Sequence, residues 1–502
     1  MKPRTTQFIQ YQLKSIIALL LFFFSLLGCN KFVEVDPPIT STNGEIIFRD
    51  DATAIAAITS VYTNMSNENA TTITGYPTNI FFTTGLASDE LELWDKSNPL
   101  YGSYYFNNIS PLPNTWSNIY KMIFLANSAI EELPKNSSVT LAVKNQLLGE
   151  ALFIRAFCYF YLVNLYGGVP LAIVTDYKET RLLPRSTPSQ VYQQIVTDLK
   201  AAQLWMTDNY VGKDGISLTN ERVRPNKWAA IALLARTYLY MGNYSGAVQQ
   251  STAVINNSAQ YVLVNLNDVF IKNSPEAIWQ LQPVGTGFYA NPLEGQLLKL
   301  LNPPSAFYPV YLRQSLVNSF ENRDLRKKDW INKYTDTASV PNIEYFYSYK
   351  YKIGLEAVPV NEYSTILRLA EQYLIRAESN IQLNNVSTGI SDLNIIRKRA
   401  TDLTVPLVEQ LPPLQLTLSK IDALKAVESE RRHELFTEWG HRWFDLKRMK
   451  GINDPSKSRA DEVLGAIKGS NWQSTDQLFP IPNTEILGAN PNMKGAQNPG
   501  YN

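Results

Sequence analysis

Cysteine and histidine are scarce in this chain, and each shortage removes a class of chemistry. Its 502 residues hold two cysteines, Cys29 and Cys158, and two histidines, His433 and His441. Besides Cys29 only Cys158 remains, so an exported form has no internal disulfide and must be held by packing. Two histidines offer few general bases. Gly-x-Ser-x-Gly elbows, phosphate-cradling glycine loops and EF-hand spacing are all missing. The sequence makes no positive case for an enzyme, and it identifies no cofactor and no metal site.

Long apolar runs are also rare, and the one at the N-terminus is informative. Ile16 to Leu27 follows the basic residues Lys2, Arg4 and Lys14. It is too short to span a bilayer comfortably and has the layout of a cleaved export signal. Gly28 followed by Cys29 resembles the bacterial lipobox, in which the thiol is acylated and the signal is cut before it. Residues 1–28 then read as a lipoprotein signal peptide and Cys29 as the lipidated first residue of the mature chain. Each buried acyl methylene contributes about 0.8 kcal/mol, so such a cysteine anchors a domain at a membrane without a spanning helix. No other segment reads as transmembrane. Removing residues 1–28 lowers the net charge from +1 to −2, because three positive and no negative charges leave. Nucleic acid and anionic membrane surfaces are therefore poor partners.

Aromatics are abundant, with 28 tyrosines and 9 tryptophans, and their large stiff faces suit binding surfaces as well as cores. Residues 29–45, with Pro37 and Pro38, read as an extended tether to a domain over 46–502, with halves at 46–260 and 261–502. Helical periodicity starts near Asp51 and returns at 116–132, 145–166 and from Thr187 to Met206. Ile231, Leu234, Ala235, Tyr238 and Ala247 follow tetratricopeptide spacing, with a turn at Gly242 and Tyr244. Ser251 and Ala259 replace the usual aromatic and proline. A further pair is predicted at 366–383 and 388–400, turning at Asn384 and Asn385. The fold class is thus mainly α, a tetratricopeptide-like array of about four helix pairs with long irregular insertions. Three insertions are rich in aromatics, at 67–113, 273–311 and 341–363, and loops of this length are usually functional. The third alternates and also suits a strand.

The densest charge pattern runs from Glu428 to Lys450. His433-Glu434 invites comparison with a zinc helix, but Thr437 stands where the second histidine is required, and His441 lies two turns away. Glu430, Glu434 and Glu438 share a helix face, which invites comparison with a glycosidase carboxylate pair. Helix pairs Glu428 with Arg432 and Glu438 with Arg442, over buried Trp439, Trp443 and Phe444, explain the pattern better.

Several ordered motifs together resemble the SusD/RagB family of outer-membrane nutrient-binding lipoproteins. They are CNKFVEVDPP after the signal, GEALFIRAFCYFYLVNLYGGVPL at 149–171, RPNKWAAIALLARTYLYMGNY at 224–244, LRLAEQYLIRAES at 367–379, ESERRHELFTEWGHRWFDLKRM at 428–449, and LFPIPNTEIL with QNPGY at the C-terminus. Trp439 departs from the pattern, where many members carry glutamate. The resemblance implies four tetratricopeptide-like pairs supporting an irregular binding half. It also implies a lipid-anchored protein at the outer-membrane surface that captures a glycan or other large nutrient. Such a protein acts as a lid on a SusC-like TonB-dependent transporter.

The family does not fix ligand contacts by motif, so these are read from composition. Trp94, Tyr101, Tyr104, Tyr289 and Tyr308 are the expected stacking rings, with Asp89 and Glu90 as polar contacts. Two other functions remain open: a lipid-anchored glycan-processing enzyme, which needs a carboxylate pair in a cleft, and an interaction scaffold, which needs an exposed apolar helix face.

Overall fold

The computed structural model of the chain describes residues 47–66, 79–109, 113–484 and 490–501. Cys29, the signal, the tether and part of the first aromatic insertion lie outside the described residues. Among the described residues twelve helices reach eight residues. They are α1 (Asp51–Ser66), α2 (Ile80–Ala87), α3 (Pro113–Glu132), α4 (Leu141–Tyr166), α5 (Pro188–Trp205), α6 (Lys227–Tyr240), α7 (Tyr244–Asn256), α8 (Leu369–Gln382), α9 (Val386–Arg399), α10 (Lys420–Leu435), α11 (His441–Arg448) and α12 (Arg459–Lys468). Six strands are β1 (Leu91–Leu93), β2 (Ala277–Leu281), β3 (Val310–Leu312), β4 (Ile331–Asp336), β5 (Ile343–Ser348) and β6 (Ser364–Arg368). They pair as antiparallel ribbons, β1 with β3, β2 with β6 and β4 with β5.

Local signals account for several helix ends. Thr187 and Gln190 form a reciprocal capping box at the start of α5, which satisfies two backbone donors that no helical carbonyl reaches. Helix α4 is apolar on nearly every side, because it runs through the core and buries almost all of its 26 residues. It is long and apolar enough to cross a membrane, contrary to the sequence expectation, yet its most apolar stretch is wholly buried in the protein. Helices α3 to α9 each pack on the next in order, and α10 lies against α8 and α9.

The pairs α6/α7 and α8/α9 are two copies of one hairpin. Gly242 and Asn384 take left-handed φ of 72° and 68° at matching turn positions. The next amide then bonds back into the helix end, Asn243 to Tyr238 at 2.9 Å and Asn385 to Asn380 at 2.8 Å. Ala235, Leu239 and Ala247 of the first pair match Ala377, Ile381 and Gly389 of the second, and the six are buried. At the second crossing the helices are so close that a Cβ on Gly389 would lie 2.5 Å from the Ala377 carbonyl oxygen. Buried arginines stitch the layers. Arg155 of α4 holds Asp198 of α5 at 2.8 and 2.7 Å, and Arg236 of α6 holds Glu371 of α8 at 2.6 and 2.7 Å.

One expectation changes here and one alternative is met. Residues 366–368, predicted as the first turn of a helix, belong to β6, because β2 supplies a partner and all five positions of the strand are buried. The alternating third aromatic cluster does form a strand, β5.

Candidate functional site

The insertions meet through backbone pairing. Leu91 opposes Leu312 and Leu93 opposes Val310, and the Trp94 amide extends this ribbon by donating to the Pro309 carbonyl at 2.9 Å. Strand β3 also lies beside β5. Segments from all three insertions therefore form one surface. Tyr311 and Tyr345 pack edge-to-face at 5.1 Å, and Tyr334 faces Tyr345 across the β4/β5 ribbon. Tyr308 and Tyr347 are buried under half-buried Tyr311, Tyr334, Tyr345 and Tyr349. Two rings beside this base reach solvent, Trp94 at 48% exposure and Phe307 at 64%. Phe307 sits on a turn closed by reciprocal bonds between the Ser305 and Tyr308 backbones at 3.1 Å.

Charged groups border the rings. Glu92 is bonded by Lys96 at 2.8 Å, Arg313 at 3.2 Å and the Tyr105 hydroxyl at 2.5 Å. Burial alone would raise its pKa, but these donors outweigh burial and hold Glu92 below the ordinary value. The Arg313 guanidinium lies 4.9 Å from the Tyr105 ring centre. A ligand here would meet flat aromatic faces flanked by fixed donors and acceptors.

The seven expected contact residues separate into distinct environments. Trp94 is on the exposed face, and Tyr308 is beneath it. Tyr101 is half-buried edge-to-face on Phe82 at 5.0 Å. Tyr104 is a core residue packed on Phe479, and burial pushes its hydroxyl up to about 12. Its neighbour Tyr105 points to the charged border instead. Tyr289 lines a separate small pocket with Asn291 and Glu294.

Asp89 and Glu90 are corrected from ligand contacts to structural pins. Asp89 is 1% exposed and lies between Arg442, at 2.7 and 3.0 Å, and Arg432, at 2.9 Å. Burial opposes its charge, yet the two guanidiniums hold the carboxyl below the usual range. Glu90 accepts the Thr437 amide at 3.2 Å, while burial and then the Asp89 charge push it up to about 7. Both residues fasten the start of β1 to the corner between α10 and α11.

That corner reinterprets the charged motif. Thr437, Trp439 and Gly440 take φ of 55°, 43° and 77°, so the chain turns where a continuous helix would run. The expected i,i+4 pairs do not form: the helix stops at Leu435, so Glu438 lies outside it, and Arg432, inside it, pairs with Asp89 instead of Glu428. Glu428 instead binds Arg442 at 3.0 Å and Arg459 at 2.9 Å, and Glu438 binds Arg368 at 2.8 Å and Lys350 at 2.6 Å. Glu430 and Glu434 bind Arg326 at 2.9 and 3.2 Å, and Glu434 also engages Arg368 and Arg399. Burial would raise Glu434, but Arg399, Arg368 and Arg326 hold it well below its ordinary value. These carboxylates are occupied acceptors within the core. His433 stacks on Phe320 at 4.2 Å, and burial with nearby arginines keeps it neutral. Trp439, Trp443 and Phe444 are buried as expected, with Trp439 edge-to-face on Phe157 at 5.9 Å.

The fold has counterparts among known proteins. A family model described as "Starch-binding associating with outer membrane" matches residues 31–239, and one described as "SusD family" matches 360–501. The chain belongs to the SusD family. Among SusD-like relatives, SusD-like protein P25 of Formosa agariphila is 25% identical over 556 residues, covering 98% of this chain and 100% of that protein. The starch-binding protein SusD of Bacteroides thetaiotaomicron is 28% identical over 180 residues, covering 34% of this chain and 28% of its own length. A SusD superfamily structure from Bacteroides vulgatus matches with a TM-score of 0.72 at 20% identity, covering 89% of this chain and 98% of that one. The surface glycan-binding protein A of Bacteroides fluxus matches with a TM-score of 0.68 at 22% identity, covering 89% and 99%. The SusD fold accounts for the C-terminal motif physically. Arg185 donates to the Gly168, Tyr166 and Ala496 carbonyls and to Asn498, and Asn498 donates to the Tyr166 and Phe479 carbonyls.

Proposed function

We propose that the chain is a surface-exposed lipoprotein that binds a glycan and delivers it to a SusC-like TonB-dependent transporter. One observation carries the binding part: Trp94 and Phe307 project from a face that three distant insertions build together. Solvent-exposed rings on a preformed base suit stacking on sugar faces, and the Glu92, Lys96 and Arg313 border suits hydroxyl recognition. Each ring adds about 1 kcal/mol beyond area burial, whereas a millimolar complex needs about 4 kcal/mol. Capture by the isolated protein is therefore weak, and repeated ligand units or closure against the transporter supply the rest. Lipid anchoring through Cys29 and outer-membrane location rest on the N-terminal motif and the family description.

Two experiments test this reading. Titration of Trp94→Ala against a panel of neutral and acidic oligosaccharides should weaken the best ligand by about tenfold, in line with losing a ring and its buried area. Unchanged affinity removes the face from the argument. Affinity purification from detergent-solubilised outer membrane should recover a large TonB-dependent barrel, and a clean monomer under mild extraction counts against the delivery role.

A further inference from the structure

A lysine ammonium has three hydrogens to place, and two buried lysines of this fold place them all on protein acceptors. Lys468 donates to the Leu86, Ala87 and Tyr105 carbonyls, and Lys350 donates to Glu438 and to the Glu434 and Phe436 carbonyls. Among the described residues Lys447, by contrast, has one protein acceptor, the Asn164 carbonyl, and no carboxylate partner. The Trp443 and Phe444 rings lie 5.5 and 5.4 Å from its ammonium, and their faces favour a cation without replacing a hydrogen-bond acceptor. Burial pushes its pKa down to about 7. Its charge is thus poorly compensated.

Lys447 lines a pocket of about 540 Å³, a size typical of ligand sites. The walls come from the end of α4, the start of α5, α11 and residues 474–478. Val163, Pro188, Phe444 and Leu478 make them largely apolar, and Ser474 and Gln477 add polar edges. The Phe479 amide ties this corner together by donating to the Leu165 carbonyl at 2.8 Å. Gly167 ends α4 with φ of 73°, and a Cβ there would lie 3.1 Å from the Leu478 side chain. Arg448 lines the same pocket, but Glu378 bonds it at 2.5 and 2.7 Å and Asp445 at 2.8 Å, so its charge is already matched. Lys447 supplies the charge left over.

We propose that this pocket binds a small organic carboxylate, whose charge meets Lys447 and whose apolar body lies against Val163, Phe444 and Leu478. A carboxylate offers acceptors for the lysine's remaining hydrogens, and a charge-assisted bond shielded by apolar walls is stronger than the same bond in water. The walls also select the class, because an inorganic anion or a fully hydroxylated sugar would leave their apolar surface unused. The pocket shares no lining residue with the aromatic face around Trp94 and Phe307. It therefore stands independently of glycan binding there.

Benzoate is the probe, titrated against the purified protein and followed by saturation-transfer NMR. Saturable binding with a Kd on the order of 1 mM is expected for so small a ligand. Benzyl alcohol keeps the ring without the charge, acetate keeps the charge without the ring, and each should bind at least tenfold more weakly. Lys447→Met keeps a flexible apolar stem and should weaken benzoate at least tenfold with unchanged circular dichroism. A second measurement needs no variant. A lysine of lowered pKa is a ready nucleophile near neutral pH, so brief treatment with an acylating N-hydroxysuccinimide ester should modify Lys447, and saturating benzoate should slow that modification severalfold, as read by mass spectrometry. No saturable benzoate binding, benzyl alcohol binding as tightly as benzoate, benzoate binding undiminished by Lys447→Met, or modification of Lys447 that benzoate leaves unchanged overturns the proposal.

Discussion

Glu90→Gln should stabilise this protein, by an amount that grows as pH rises from about 4.5 to 7. Glu90 is buried at 2% exposure, accepts one backbone amide, and has its pKa raised from an ordinary 4.5 to about 7 by burial and then by Asp89. The folded state therefore binds more protons than the unfolded state between those two values. Stability attributable to this group is unimpaired below pH 4.5, falls as pH rises toward 7, and is flat beyond. A shift of that size corresponds to about 3 kcal/mol of penalty for keeping a charge at this position at pH 8. Glutamine preserves the shape and an oxygen for the Thr437 amide but carries no charge. The variant should match the parent at pH 4 and exceed it by up to about 3 kcal/mol at pH 8. Urea unfolding followed by tryptophan fluorescence at a series of pH values reads the difference directly. A variant that is less stable at pH 8, or whose advantage does not change with pH, would falsify the assignment of Glu90 as an unneutralised buried carboxylate.

Asp89→Ala should do the opposite, costing about 3–5 kcal/mol at pH 7 by leaving Arg432 and Arg442 buried without their carboxylate. Because the Asp89 pKa is depressed, its contribution is present above an ordinary 3.8 and lost as pH falls below it, so the two unfolding midpoints should converge in acid. Phe307→Ala should lower oligosaccharide affinity severalfold while shifting stability by less than about 0.5 kcal/mol, since the ring is exposed. A large loss of stability would mean that the ring is structural. Gly389→Val should destabilise by about 1–3 kcal/mol, because its Cβ would meet the Ala377 carbonyl and Ile381 at the α8/α9 crossing. An unchanged denaturation midpoint would show that this crossing yields freely.

Much of the helical half is legible in the residues alone. Periodicity placed α1, α3, α4, α5 and the α6/α7 and α8/α9 pairs, and Gly242 and Asn384 marked both turns. The aromatic face is less legible. Trp94 and Phe307 stand far apart in the chain, and nothing local says that Leu91 will pair with Leu312. The burial of Tyr104 was hidden for a related reason: adjacent residues on a short helix point to different surroundings, and only the packing of Phe479 against Tyr104 makes that ring core.

The charged motif shows the same division most clearly. Its composition announces a dense arrangement of ions, and its helical spacing suggests partners one turn away. The observed partners of Glu434 and Glu438 are Arg326, Arg368, Arg399 and Lys350, brought from other segments by a corner at 436–440. Sequence by itself determined the helices, their turns, the aromatic wealth of the insertions and the N-terminal apolar run that ends at Cys29, because each depends on neighbours along the chain. Tertiary structure alone decided which carboxylates are neutralised, which rings reach solvent and which polar groups are left unpaired. Those outcomes depend on burial and on partners from distant segments, and both exist only once the chain has closed on itself.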